Sequence, residues 1–142
     1  MIKINSLGDL LRQHGLKKTD IRVEIIELFM TCDYALSVHD VVSKLKTKKD
    51  RVTIYRALIS FEKRGILHRA SEDGQGVKYA MNLVDNKDKL TTKKHVHFVC
   101  DECNKTYCLS NLSVPDVEIP NEYLVNQVYY SINGICQKCQ CR

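Results

Sequence analysis

Fourteen residues, His95 to Cys108, hold two histidines and three cysteines in the string H-V-H-F-V-C-D-E-C-N-K-T-Y-C, and a second close cysteine pair follows at Cys136 and Cys139. The chemistry open to such side chains is metal ligation or thiol exchange. Two C-x-x-C pairs with 32 residues between them suit a four-thiolate zinc site at Cys100, Cys103, Cys136 and Cys139. Each tight turn supplies two sulfurs, and two turns complete a tetrahedron. The competing readings are a pair of disulfides or an oxidoreductase C-x-x-C. A redox motif needs one such pair, usually opening a helix within a βαβ pattern, and neither pair here has that setting.

A chain of 142 residues with 44% hydrophobic content is one ordinary domain or two small ones with a real core. A metal staple is physically reasonable for a small half. No apolar run approaches membrane-spanning length, and M-I-K-I-N-S-L-G-D lacks a signal peptide's apolar core, so a cytoplasmic protein without a membrane partner is expected. Seven cysteines in a reducing compartment favour thiolate ligation over disulfides, and the odd number fits. Residues 1–94 hold 19 Lys and Arg against 12 Asp and Glu, while residues 95–142 hold 3 against 5, giving +7 and −2. A basic first half therefore has the charge to meet a polyanion, although many basic faces bind no nucleic acid.

The elements that must position these groups begin with three short helices. Ser6 caps L-x-x-L-L up to His14, with Gly15 as terminator; Thr19 caps a helix through about Thr31 with the stripe Ile21, Ile25, Leu28 and Phe29. Ser37 and Asp40 form a capping box ahead of Val38, Val41, Val42 and Leu45. Asp50 is expected to cap a fourth helix that Gly65 ends. Its residues Ile54, Leu58 and Phe61 repeat at core spacing and leave Arg51, Thr53, Tyr55, Arg56 and Lys63 on other faces. Such a face matches a recognition helix entering the major groove, and equally a solvated surface. The segment I-L-H-R-A, a turn S-E-D-G-Q-G and V-K-Y-A-M then read as a two-stranded hairpin, which makes the set a winged helix-turn-helix.

The polar stretch from Asn82 to Lys94 reads as a hinge. The expected division is a winged-helix domain over 1–82, a hinge over 83–94 and a zinc-containing dimerisation domain over 95–142. The fold class is α+β, the second domain being small and α/β or mostly β. Strand-like runs fall at His95 to Val99, Lys105 to Leu109 and Tyr123 to Ile132, while Pro115 and Pro120 argue for extended chain over 110–121. There is no Gly-rich phosphate loop and no Ser/His/Asp arrangement. An enzyme using Cys139 and Cys141 as a thiol pair lacks a catalytic base beside them.

The chain resembles the ferric uptake regulator family of bacterial metal-responsive repressors. The resemblance rests on G-L-K-x-T-x-x-R at Gly15 to Arg22, T-I-Y-R-A-L-x-x-F-x-x-x-G-I at Thr53 to Ile66, H-x-H-F-x-C-x-x-C at His95 to Cys103 and G-I-C-x-x-C at Gly134 to Cys139. It implies a winged-helix DNA-binding domain, a dimerisation domain, and a homodimer that binds a palindromic double-stranded operator when a regulatory metal is loaded. It places Tyr55 and Arg56 at DNA-contacting positions, Lys17 and Arg22 at basic positions around the second helix, and Cys100, Cys103, Cys136 and Cys139 as structural zinc ligands. Tyr55 suits a thymine methyl or a base edge, and the cations suit phosphates.

The regulatory site departs from the family pattern. A histidine before the third helix is here Ala35, a glutamate on the strand closing the wing is Ala80, and a further glutamate falls on Cys108, while His95 and His97 are kept. In a strand, His95 and His97 share one face and Cys100 takes the other. If the Cys100 to Cys103 turn closes a hairpin symmetric about Glu102 and Cys103, position 97 pairs with 108, and His95, His97 and Cys108 form a second, His2Cys site; a one-residue slip removes Cys108 from it. Two imidazoles and a thiolate favour Zn²⁺ as the regulatory divalent metal, with Fe²⁺ and Mn²⁺ still open. Cys32, His39, His68 and Cys141 are candidates for a fourth ligand. The bland reading is Cys108 as a small buried hydrophobe.

The expected function is thus a homodimeric, metal-dependent transcriptional repressor, zinc- rather than iron-responsive. The alternative is a thiol- or redox-responsive regulator with only the structural zinc, sensing through Cys32, Cys108 or Cys141.

Overall fold

The computed structural model describes residues 6–73, 76–82, 96–109, 112, 114–126, 128 and 130–141. Its helices start where side chains can satisfy the first backbone N–H groups. The Ser6 hydroxyl accepts from the Asp9 amide at 3.2 Å to open α1 (Leu7–Gln13), and Thr19 accepts from the Arg22 amide at 3.4 Å to open α2 (Asp20–Thr31). The capping box at α3 (Val38–Lys44) forms as expected, with Asp40 N–H to Ser37 Oγ at 3.1 Å and Ser37 N–H to the Asp40 carboxylate at 2.9 Å. The start of α4 (Arg51–Lys63) differs. Asp50 stands at the cap, but its carboxylate accepts the Thr53 hydroxyl instead of a backbone N–H. Gly15 at φ 75 and Gly65 at φ 78 end α1 and α4 in the left-handed region that suits glycine.

These helices bury one stripe each. Leu11, Ile25, Ile26, Ile54, Leu58 and Phe61 meet in one cluster with Leu36 and Tyr79. Ile26 joins the α2 stripe, whereas Ile21 and Leu28 sit at its edge. Because Phe61 is fully buried at the centre of this cluster, Phe61→Ala is expected to cost about 3–5 kcal/mol, read by urea unfolding.

The wing has one strand more than expected. A two-residue β1 (Leu36–Ser37) pairs with β3 (Gly76–Met81), which pairs with β2 (Leu67–Asp73), all antiparallel in the order β1-β3-β2. Two residues carry too little periodicity to announce a strand, and Ser37 reads from the sequence only as a helix cap. In β2 the register slips between Arg69 and Ser71, so Ala70 is a bulge. Before the bulge, successive side chains take opposite faces. Arg69 turns toward the recognition helix, its Nε donating to Glu62 at 3.0 Å, and His68 turns the other way, directly across from Ala80.

The second sheet has the order β5-β4-β6. The strand β4 (Val96–Cys100) pairs antiparallel with β5 (Thr106–Leu109) and parallel with β6 (Tyr130–Gly134), and a one-turn α5 (Gln137–Gln140) follows. The register places His97 opposite Cys108, as the hairpin argument requires. The expected strand over Tyr123 to Ile132 is corrected: among the described residues 123–126 and 128 are not in a strand, and 130–132 belong to β6. The parallel register sets Tyr130 against Val96. Tyr123 instead lies in a turn, its amide donating to the Pro120 carbonyl at 3.0 Å. Residues 114–120 take no regular structure, consistent with an extended path. At Gly134 the Phe98 ring packs close to the backbone: a Cβ there would come 3.1 Å from it.

The two sheets meet along a polar seam. Ala35 N–H donates to the Thr106 carbonyl at 2.7 Å, the Ser71 and Thr106 hydroxyls are 3.3 Å apart, and Lys78 donates to the Asn104 carbonyl. Lys105 sits 4.3 Å over the Tyr34 ring, and Lys138 pairs with Asp33 at 3.3 Å.

Candidate metal centres and nucleic-acid interface

The two cysteine pairs converge. The ligand atoms of Cys100, Cys103, Cys136 and Cys139 all lie within 4.8 Å of one another, and Cys103 Sγ is 3.8 Å from Cys136 Sγ. That separation is far from a disulfide, and all seven cysteines are unpaired. Zinc–sulfur bonds of about 2.3 Å at tetrahedral angles place sulfurs about 3.8 Å apart, so the thiols are spaced as zinc ligands. Backbone geometry assists. The N–H of Cys103, with that of Cys136 at 3.3 Å, points at the Cys100 sulfur and lowers its pKa to about 6, favouring the thiolate a metal needs. The Cys139 N–H similarly lowers Cys136, whereas burial pushes Cys139 up to about 12.

On the opposite face of β4 a second group gathers, holding two of the three expected ligands, His97 and Cys108, and one of the four fourth-ligand candidates, His68. His95 lies outside the described residues. The histidine brought beside His97 and Cys108 is His68, from the wing. His68 Nε2 is 3.3 Å from His97 Nε2 and 3.9 Å from Cys108 Sγ, and the three ligand atoms fit within the same 4.8 Å limit. His97 is buried and Cys108 half-buried. Two imidazole nitrogens directed at each other and at a thiol form a donor set that one divalent ion fits. Of the other fourth-ligand candidates, Cys32, His39 and Cys141 do not join this group.

The sequence contained the signal for His68. The family's glutamate position is Ala80, and hairpin pairing sets His68 directly opposite it, on the same face of the wing sheet. A donor side chain thus stands across the sheet from the position that lacks one. Ala35, the other vacated position, is buried and its N–H is committed to Thr106.

The residues expected to contact DNA differ in exposure and in their hydrogen bonds. Arg51, Thr53, Tyr55 and Arg56 are exposed on α4, opposite the buried stripe of Ile54, Leu58 and Phe61. Tyr55 is 51% and Val52 54% exposed, so an apolar pair lies uncovered between cations. Thr53 is less free than expected, since its hydroxyl is held by Asp50. Lys17 is exposed, while Arg22 donates from Nη1 to the Lys17 carbonyl at 2.8 Å, joining the two basic positions. Ser37, His39, Arg51, Tyr55 and Arg69 line a groove between α4 and the wing.

A winged helix-turn-helix joined to a small sheet that gathers four thiols defines a metal-binding, DNA-binding transcription regulator. The chain belongs to the ferric uptake regulator family, whose profile matches residues 13–132. It is 31% identical to the ferric uptake regulation protein of Neisseria meningitidis over all of this chain and 98% of that one. With the protein of the same name from Bordetella parapertussis it shares 29% identity over 92% of this chain and 94% of the relative. Among solved structures, the ferric uptake regulator of Francisella tularensis with iron is 28% identical, with a TM-score of 0.59 over 89% of this chain and 96% of that one. A zinc uptake regulator complexed with zinc and DNA, at 18% identity, shares the fold with a TM-score of 0.64 over 92% of this chain and 88% of that one. The protein is accordingly a metal-responsive regulator of this family. Among the described residues no helix is long and apolar enough to cross a membrane.

Proposed function

We propose that the protein is a homodimeric, cytoplasmic, zinc-responsive repressor that binds a palindromic operator when a metal joins its two halves. The single observation that carries this reading is the convergence of His68 from the wing with His97 and Cys108 from the second sheet. In this reading residues 1–82 bind DNA, 83–94 are a hinge and 95–142 dimerise. Cys100, Cys103, Cys136 and Cys139 hold a structural zinc. His68, His97 and Cys108 hold the regulatory ion, with His95 retained as a candidate fourth ligand.

A divalent ion at the second site supplies a charge that ligands from both halves share. The chain's residues do the rest. His68 turns the wing toward β4, the polar seam at Thr106 and Asn104 holds that orientation, and the hinge loses freedom. Two winged helices in a dimer can then reach successive major grooves about one helical turn apart, with Tyr55 and Arg51 at base edges and Arg56, Lys17 and Arg22 at phosphates. The exposed apolar residues Val117, Ile119, Tyr123, Leu124 and Ile132 supply a surface for the second copy. The ligand set supports Zn²⁺ over Fe²⁺ or Mn²⁺, because a thiolate replaces a carboxylate. Burial pushes the Cys108 thiol up, away from the free thiolate that a sensor cysteine uses; as a ligand it would lose its proton to a bound ion, whose charge offsets the burial.

The test starts from a random duplex library, because the sequence does not specify the operator. Selection by the zinc-loaded protein is expected to enrich a two-fold symmetric site, to which affinity falls on chelating the labile metal while the four-cysteine zinc stays bound. Unchanged affinity after that chelation rejects the mechanism. Within the same assay, Arg56→Ala should weaken binding to all duplexes alike and reduce the slope of log affinity against log salt by about one.

A further inference from the structure

We propose that Asn82 is a positioning residue for the metal site between the two halves: its side-chain amide fixes the neutral His68 ring in the tautomer that presents a bare Nε2 to His97 and Cys108. The inference rests on the metal site proposed above and adds what aims its wing-borne ligand.

The orientation follows from what each atom can do. Asn82 Nδ2 lies 2.8 Å from the Gly65 carbonyl oxygen. A carbonyl only accepts, so the amide nitrogen, and not its oxygen, must face Gly65. Asn82 Oδ1 is therefore the atom 2.7 Å from His68 Nδ1. That oxygen also only accepts, so Nδ1 carries the proton. In a neutral imidazole the second nitrogen is then a lone pair. This nitrogen, Nε2, is the one 3.3 Å from His97 Nε2 and 3.9 Å from Cys108 Sγ. A proton on Nε2 would close the site to a cation; the amide holds the proton on the far side of the ring.

The amide is itself anchored. Asn82 N–H donates to the Ile66 carbonyl at 2.9 Å, so both its backbone and its side chain are tied to the Gly65–Ile66 entry of the strand that carries His68. Metal-bound imidazoles generally donate their second N–H to such an outer acceptor, whose loss lowers metal affinity about 10–100-fold. Asn82 is also the residue at which the chain leaves the wing, so the group that aims the ligand adjoins the proposed hinge.

The test uses the full chain with its four-cysteine zinc retained, and the variants Asn82→Ala and Asn82→Asp. Long-range ¹H–¹⁵N correlations of the histidine rings, recorded at pH 8 before a second metal is added, read the tautomer directly. Zn²⁺ competition against a chelator reads the affinity of the second site. Wild type and Asn82→Asp, which keep an acceptor, should both show His68 protonated at Nδ1. Asn82→Ala should lose that single tautomer and bind the second Zn²⁺ about 10–100-fold more weakly. If Asn82→Ala keeps the Nδ1–H ring, or if both variants lose affinity equally, Asn82 has no positioning role. A wild type that takes up no second Zn²⁺ instead overturns the metal site itself, and the positioning role with it.

Discussion

Replacing Cys103 with serine is expected to release the structural zinc and unfold the second sheet while leaving the helical core intact. The reason is how little else holds that sheet. Among the described residues beyond position 95, the buried apolar side chains are Val96, Cys100 and Cys136, and two of these three belong to the four-thiol cluster. The first half, by contrast, buries Leu11, Ile25, Ile54, Leu58, Phe61 and Tyr79 in one cluster. Zinc bound by small domains contributes on the order of 10 kcal/mol, comparable to the whole stability of an ordinary domain. Its loss cannot be absorbed by a sheet with so small an apolar core. Hydrogen exchange should show protection lost over residues 96–109 and 130–140 and kept over 54–61, with bound zinc falling in parallel. A Cys103→Ser protein that lacks zinc yet protects β4 would show that the strand pairing stands without the metal.

Much of this arrangement was legible in the residues themselves. Caps at Ser6, Thr19 and Ser37 act through side chains reaching backbone N–H groups three positions on, so local sequence decides them. The four-thiol cluster was legible for the same reason, since each C-x-x-C is a local turn. The pairing of His97 with Cys108 followed from the turn between them, which fixes register at short range. What escaped were features decided at long range. The strand β1 exists because β3 lies beside it, and β6 is a strand because it pairs in parallel with β4. Asp50 was a reasonable cap by residue type, but the Thr53 hydroxyl competes for its carboxylate. His68 belongs to this group only in part, since the sequence named it as one of four candidates without singling it out. Its cross-strand position opposite Ala80 was readable from the hairpin, but its approach to His97 depends on how two sheets dock, which no local pattern encodes.

That docking separates the second large effect from the first. His68→Ala and Cys108→Ala should each leave the protein folded, because the seam at Ala35, Ser71, Lys78 and Asp33 does not use either side chain. Each should nevertheless reduce bound zinc from two ions per chain to one, and abolish the gain in operator affinity that the second ion produces. Couplings of this kind are worth about 1–3 kcal/mol, or about 5–150-fold in affinity. A ligand at position 68 can exert such a coupling because it is carried by the wing, whereas His97 and Cys108 both belong to the second sheet and could hold an ion without orienting anything. The two variants therefore distinguish ligation from coupling. If His68→Ala loses the DNA response while retaining a weakened second ion on His97 and Cys108, the wing ligand is the coupling element. If His68→Ala keeps both the ion and the response, the wing is not recruited through this residue and the proposed mechanism fails. Cys108→Asp extends the argument to metal choice. Exchanging the thiolate for a carboxylate leaves two imidazoles and an oxygen donor, which should shift relative affinity from Zn²⁺ toward Fe²⁺ and Mn²⁺. Competition between the ions on wild type and Cys108→Asp, with the four-cysteine zinc unchanged in both, measures that shift; equal preference in the two proteins would mean that position 108 does not select the metal.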